Sequence, residues 1–227
     1  SLDLNQSFRQ MLDTGITDCF LEVSSHALSQ KRVCDMNFDV GIFTNLSRDH
    51  LDFHNDMEEY KNAKAELFKG NNVNIAIVNI DDPTGKEFFD ELKENVISTG
   101  INSFADFSAK DIVLTADGSR FTLKTPKRSV EIRTNLLGKH NIYNLLSASA
   151  YAVTQGMSLD LVQNTFQKIP CIPGRFEPIN EGQNFSVLVD YAHTEDALSK
   201  AITAAKTFTE EKVIVVFGCG GDRDKGK

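Results

Sequence analysis

The sequence predicts an α/β fold in which a mostly parallel central sheet is flanked by helices and carries a small antiparallel section. Two observations point there. In the first half, short apolar runs alternate with segments of helical period, the order that a parallel sheet with helical crossovers requires. Between about residues 97 and 137 the pattern turns to apolar/polar alternation broken by Asp117-Gly118 and Pro126, which is how hairpins read.

In chain order, residues 4–14 place Leu4, Phe8, Met11 and Leu12 on one helical stripe that ends near Gly15. Residues 19–23 read as a buried strand, 24–33 as a short helix, and 40–44 and 74–80 as two further strands. Asp81, Asp82, Pro83, Thr84 and Gly85 form a turn from which a helix over 86–94 departs. The antiparallel section takes residues 112–114, 120–124 and 130–133, and helices follow over 142–155 and 159–168. Pro170, Pro173 and Gly174 then punctuate the chain and set a domain boundary, giving a central domain over 1–172 and a second over 173–227. Beyond it, residues 185–189, 196–208 and 212–217 read as strand, helix and strand, one βαβ unit that opens a Rossmann-like second α/β domain.

Composition narrows the function. The 227 residues are 41% hydrophobic and 25% charged, an ordinary globular balance that excludes collagen, coiled coil and disorder. With 24 Lys and Arg against 32 Asp and Glu, the net charge of −8 argues against a broad nucleic-acid surface. No apolar run approaches the roughly 20 residues of a membrane span, so the expectation is a cytoplasmic protein without membrane insertion. Cys19, Cys34, Cys171 and Cys219 form no C-x-x-C pair, which argues against zinc and against a disulfide framework and leaves buried free thiols. Opening at Ser1 without methionine and closing in a glycine- and charge-rich run, the chain reads as a piece of a longer one.

The densest polar cluster, Asn45-Leu-Ser-Arg-Asp-His-Leu-Asp-Phe-His54, follows the strand over 40–44, and ligands of open α/β sheets gather at such strand ends. Asp49, His50, Asp52 and His54 are possible metal ligands or acid/base groups, and Glu22, Ser24, Ser25 and His26 end another predicted strand. In the next helix, Met57, Tyr60, Lys64 and Leu67 share a stripe, so Lys64 points inward. Burial lowers a lysine pKa, and a neutral amine can take up carbon dioxide as a carbamate, an oxygen ligand suited to magnesium. The plainer alternative is a lysine whose stem packs while its head reaches water. Asn141 and Asn144 are candidates to cap the following helix or to touch a nucleotide base. Arg175 and the run Asp190-Tyr-Ala-His193 face the expected interdomain cleft, and Gly218, Gly220 and Gly221 are a weak phosphate signal. A metal-dependent hydrolase built on His50 and His54 lacks the glutamate that an H-E-x-x-H site needs.

Taken in order, Glu22-Val-Ser-Ser-His26, Asn45-Leu-Ser-Arg-Asp-His-Leu-Asp52, Tyr60-Lys-Asn-Ala-Lys64, His140-Asn-Ile-Tyr-Asn144, Pro173-Gly-Arg-Phe-Glu177, Asp190-Tyr-Ala-His-Thr194 and Gly218-Cys-Gly-Gly-Asp-Arg-Asp224 resemble the Mur ligase family, in its diamino-acid-adding branch. The resemblance implies ATP-dependent carbon–nitrogen ligation in peptidoglycan assembly. ATP is the co-substrate, Mg2+ the cofactor, and the UDP-MurNAc-dipeptide and a diamino acid (L-lysine or meso-diaminopimelate) are the partners. It further implies Glu22, His50 and a carbamylated Lys64 as metal ligands, and Lys64 and His193 as catalytic. Ser24, Gln30 and Arg32 match substrate contacts, and Asn141, Asn144, Arg175 and Asp190 match ATP contacts. His54 and Cys219 match no assigned role. Glu195 stands where the family usually has proline. The family's glycine-rich phosphate loop is missing from these 227 residues, which implies that they have no ligase activity by themselves.

Overall fold

A computed structural model describes residues 2–70, 72–207, 209 and 211–218. The chain begins with α1 (Leu2–Asp13) and α2 (Ser25–Ser29), then β1 (Phe38–Phe43), α3 (Met57–Ala65) and β2 (Val73–Asn79). There follow α4 (Pro83–Leu92), β3 (Val96–Gly100), β4 (Phe107–Thr115), β5 (Gly118–Lys124) and β6 (Ser129–Thr134). Last come α5 (Lys139–Thr154), α6 (Leu159–Lys168), β7 (Glu177–Ile179), β8 (Val187–Val189) and α7 (Glu195–Lys206).

β1 to β6 form one sheet in sequential order, parallel from β1 to β4 and antiparallel from β4 to β6. This is the mixed sheet expected from the sequence. Period-two geometry sends alternate side chains of β2 to opposite faces. Ile77 packs with Phe121, Leu123, Ile132, Ile142 and Leu146 under α5 and α6. Ala76 and Val78 pack on the other face with Phe43, Phe68, Ile80 and Phe88, the last carried by α4. Both faces of the parallel region are therefore covered, as continuous apolar strands require.

One parallel connection lacks a helix. Only six residues, 101–106, join β3 to β4, whose overlap is limited to the pairs Thr99/Phe107 and Gly100/Ser108. The loop closes around Asp81, whose carboxylate accepts the backbone N–H groups of Ile101, Asn102 and Ser103 at 2.6, 2.8 and 2.8 Å. Tyr143 of α5 donates its hydroxyl to the same carboxylate at 2.7 Å. Burial alone would raise the Asp81 pKa, but these donors win and hold it down to about 2 from 3.8, while burial and then Asp81 push Tyr143 up. A lowered folded-state pKa stabilises fully above the unfolded value and is lost as pH falls toward the folded one. Asp81→Asn is therefore expected to cost about 1–2 kcal/mol at pH 7, discounted because the carboxylate is partly exposed. Urea unfolding should also show the variant's stability to be flatter than the parent's between about pH 4 and pH 2.

Several expectations are corrected. Residues 19–23 form no strand, because an apolar run becomes a strand only where a neighbour takes its hydrogen bonds, and β1 is laddered to β2 alone. Phe20 instead meets Tyr151 of α5 edge to face, with ring centroids 5.3 Å apart. The helix expected over 86–94 starts earlier, at Pro83, because Asp82 caps it through the N–H groups of Thr84 and Gly85 and proline suits the first turn. β3 lay hidden in the supposed alternating section. β7 was missed because it is three residues long and contains Pro178, tolerable in a two-stranded ribbon. Beyond residue 173 the expected parallel βαβ unit is absent among the described residues: β7 and β8 pair antiparallel, and residues 211–218 carry no strand. Cys19 and Cys34 are exposed and Cys171 half-buried, contrary to the buried thiols expected, because all three lie in irregular segments outside the core. Cys219, Gly220 and Gly221 lie outside the described residues.

Candidate functional site

The loop over 44–54 leaves the carboxyl end of β1 and is tied down from β2 and α4. Asn79 donates its side-chain amide to the Thr44 carbonyl at 2.8 Å, and Asp82 accepts the Leu46 N–H at 3.1 Å. Asp82 thus caps α4 and anchors the loop at once. Further along, His50 has a φ of 57°, a left-handed backbone that costs a non-glycine residue energy and recurs at functional sites. The Asp49 carboxylate accepts the His50 N–H at 2.9 Å and holds the bend.

Two capped helices bring the remaining groups to this loop. Ser24 caps α2, its hydroxyl accepting the Ala27 N–H at 3.1 Å, and Asp56 caps α3 through the Glu59 N–H at 2.7 Å. In α3 Tyr60 is buried, Lys64 is half-buried and Glu58 and Glu59 are exposed, as the helical stripe predicts. Lys64 Nζ stands 6.0 Å from the centre of the Tyr60 ring. Burial depresses the Lys64 pKa and the nearby Glu22 carboxylate partly opposes it, so Glu22 and Lys64 share a field. His50 is likewise lowered, chiefly by burial, with Asp49 opposing, His26 adding, Asp52 opposing and Lys64 adding. Lys64 therefore lies within electrostatic reach of both Glu22 and His50. Among the described residues no three His, Cys, Asp or Glu side chains form a metal-holding group.

Other predicted residues sit around this group or apart from it. Gln30 ends α2 and Arg32 follows in the next turn, both exposed. The i, i+4 pair His50 and His54 does not share a ligand position. His54 turns into the protein, 1% exposed, with Nε2 2.9 Å from Ser25 Oγ, and the His26 ring contacts both imidazoles at centroid distances of 5.0 and 5.8 Å. Tyr60, on the Lys64 stripe, touches two of these rings, His50 at 5.7 Å and His54 at 5.2 Å between centroids.

A second group forms around the start of α5 and the segment 173–193. Asn141 is 2% exposed and does not cap α5: its amide donates to the Leu137 carbonyl at 2.8 Å, while Gly138 holds the cap position without a side-chain bond. The capping alternative fails for Asn144 as well, whose amide donates to Asn141 Oδ1 at 3.2 Å from an exposed position. Asp190 accepts the N–H groups of Phe176 and Ala192, each at 2.8 Å, and so pins the turn bearing Arg175. The Arg175 guanidinium lies 5.5 Å over Tyr191, and the exposed His193 has Nδ1 2.9 Å from the Tyr191 carbonyl. His140 joins this group, its pKa lowered by burial against Asp190, with Arg175 and Lys200 adding to the fall. An open groove of about 580 Å³ bordered by Thr115, Arg120, Arg133 and Gln167 lies in the antiparallel section and contains none of the predicted site residues.

Polar side chains drawn together past the carboxyl end of a parallel strand are how open α/β proteins bind ligands, and the molecule falls in that class. Comparison with known proteins narrows it. Residues 1–152 match the Mur ligase middle domain and residues 174–227 match the Mur ligase, glutamate ligase domain. The chain belongs to the Mur ligase family. It is 43% identical over 234 residues to UDP-N-acetylmuramoyl-L-alanyl-D-glutamate--2,6-diaminopimelate ligase of Bacillus cereus and 44% to the ligase of that name from Geobacillus thermodenitrificans, covering all of this chain and 48% of each relative. A solved structure of a ligase with the same name superposes with a TM-score of 0.81 at 32% identity, over all of this chain and 47% of that one. MurF from Acinetobacter baumannii shares the fold at 24% identity, with a TM-score of 0.64 over 74% of this chain and 36% of its own. The chain spans about half the length of the curated relatives it matches. None of the described helices is long and apolar enough to cross a membrane.

Proposed function

We propose that this chain is the catalytic middle, residues 1–172, and the opening of the last domain, residues 173–227, of an ATP-dependent ligase that joins 2,6-diaminopimelate to UDP-N-acetylmuramoyl-L-alanyl-D-glutamate in peptidoglycan synthesis. What supports this reading is a Lys64 whose pKa is lowered by burial, in the field of Glu22 and of the left-handed His50 on the loop after β1, in a chain whose full length aligns with ligases named for that reaction.

The chemistry proceeds in two displacements. A carboxylate oxygen of the D-glutamate unit attacks the γ-phosphorus of ATP, and ADP departs with the electrons of the broken P–O bond. The diaminopimelate amine then attacks the acyl carbon, loses a proton and expels inorganic phosphate. Anions must be brought together at each stage, so the protein's work is positioning and charge neutralisation. Neutral Lys64 combines with carbon dioxide to give a carbamate and a proton. That carbamate and the Glu22 carboxylate offer the oxygen donors that suit Mg2+ and, with the His50 imidazole, would hold it. When bound, Mg2+ supplies positive charge to the phosphate oxygens. Ser24 and Gln30, which flank α2, and Arg32 in the turn after it are assigned to the UDP-linked substrate. Asn141, Asn144, Arg175 and Asp190 are assigned to the nucleotide, with Tyr191 and Arg175 offering stacking faces. His193, exposed beside them, is assigned to the phosphates.

The test is an amide-ligation assay on the intact protein with each diamino acid in turn. Phosphate release that requires both the dipeptide substrate and diaminopimelate, with at least about tenfold preference over L-lysine, is expected of a ligase like the relatives named for diaminopimelate. Turnover that ignores diaminopimelate contradicts the reading.

A further inference from the structure

Resting on that reading, we propose that His54 is a positioning residue that fixes the relative placement of Glu22, His50 and Lys64. His54 is buried to 1% exposure, unusual for an imidazole, and its Nδ1 has no hydrogen-bond partner. Such a group persists in a folded protein when its other contacts outweigh its desolvation.

Those contacts reach each element that carries a site residue. Nε2 is 2.9 Å from the hydroxyl of Ser25, itself fully buried, three residues beyond Glu22. The His54 backbone N–H donates to the His50 carbonyl at 2.9 Å, closing the turn that presents the strained His50. The ring stacks on Tyr60 with centroids 5.2 Å apart and planes 19° from parallel, and Tyr60 is one helical turn before Lys64. The Tyr60 ring also meets His50 edge to face at 5.7 Å. From the α3 side, Glu59 approaches His54 Nδ1 only to 3.9 Å while its other oxygen accepts the Asn55 N–H at 2.8 Å. The His54 side chain thus joins α2 to α3 while its backbone closes the loop after β1, and the three lose their alignment if the Ser25 bond is cut. Residues that orient ligands in this way typically change metal affinity by about 10- to 100-fold when removed.

The test compares His54→Phe, His54→Gln and Ser25→Ala in the intact protein. Phenylalanine keeps an aromatic stack, at somewhat larger volume, but not the bond to Ser25, glutamine can restore a polar partner there, and Ser25→Ala cuts the bond from the other side without adding volume. Mn2+ affinity is read by electron paramagnetic resonance, beside the Mg2+ dependence of turnover and the melting temperature. The expected result is an approximately tenfold weaker Mn2+ affinity in His54→Phe and Ser25→Ala, with kcat falling more than the KM for ATP rises, and recovery of most of the affinity in His54→Gln. Unchanged Mn2+ affinity in a folded His54→Phe or Ser25→Ala protein overturns the proposal, as does lost stability with normal affinity. Lys64→Ala, measured alongside, separates the two levels of the reading: if it too leaves Mn2+ affinity intact, the assignment of the site itself has failed.

Discussion

Lys64→Ala is expected to lower kcat of the intact protein by about 100- to 1,000-fold while leaving the melting temperature within a few degrees of the parent. Lys64 is half-buried and its ammonium form is disfavoured there, so loss of the positive charge relieves a desolvation cost and the fold loses little. On the proposed reading, loss of the carbamate removes the second carboxylate that would hold Mg2+ beside Glu22, and with the ion the positive charge it would supply to the phosphoryl groups. Added bicarbonate should not rescue the variant. A short carboxylic acid such as acetate, which can enter the space left by the side chain and supply the missing oxygens, should recover part of the rate. Full activity in Lys64→Ala would show that its amine is an ordinary packed lysine.

Gly85→Ala is expected to destabilise the protein by about 3 kcal/mol, read as a fall in the urea midpoint at unchanged slope. In an open helix the change would gain up to about 1 kcal/mol, because alanine is the better helix former. Here a Cβ on Gly85 would lie 2.0 Å from the backbone oxygen of Asn79, and backbone cannot swing aside as a side-chain tip can. The steric term therefore outweighs propensity. The consequence reaches the site, because Asn79 and Asp82, which flank this contact, hold the loop over 44–54 at Thr44 and Leu46. A loss of activity beyond that explained by unfolding is expected. A variant as stable as the parent would mean that α4 does not approach β2 this closely.

How far such contacts can be foreseen depends on their reach along the chain. The inward turn of Lys64 follows from a 3.6-residue period inside one helix, and the bounds of α6 follow from its own stripe and the Ser158 cap. The runs over 19–23 and 212–217 have strand composition, but pairing depends on a neighbour that no local window contains, and neither forms a strand. Asp81 reads as a turn residue from its sequence neighbours, whereas its carboxylate serves a loop 20 residues on and a tyrosine 62 residues on. His54 was legible only as one of several polar groups. Its burial depends on Ser25, 29 residues earlier, and on Tyr60 turning the same way.

The chemical claim on which the rest depends is that Lys64 becomes a carboxylate. A carbon-13 spectrum of the intact protein equilibrated with labelled bicarbonate tests it directly. A protein-bound carbamate resonance that is present in the parent and missing from Lys64→Ala is the predicted result. A parent spectrum without that resonance, or one that survives the substitution, would contradict the account.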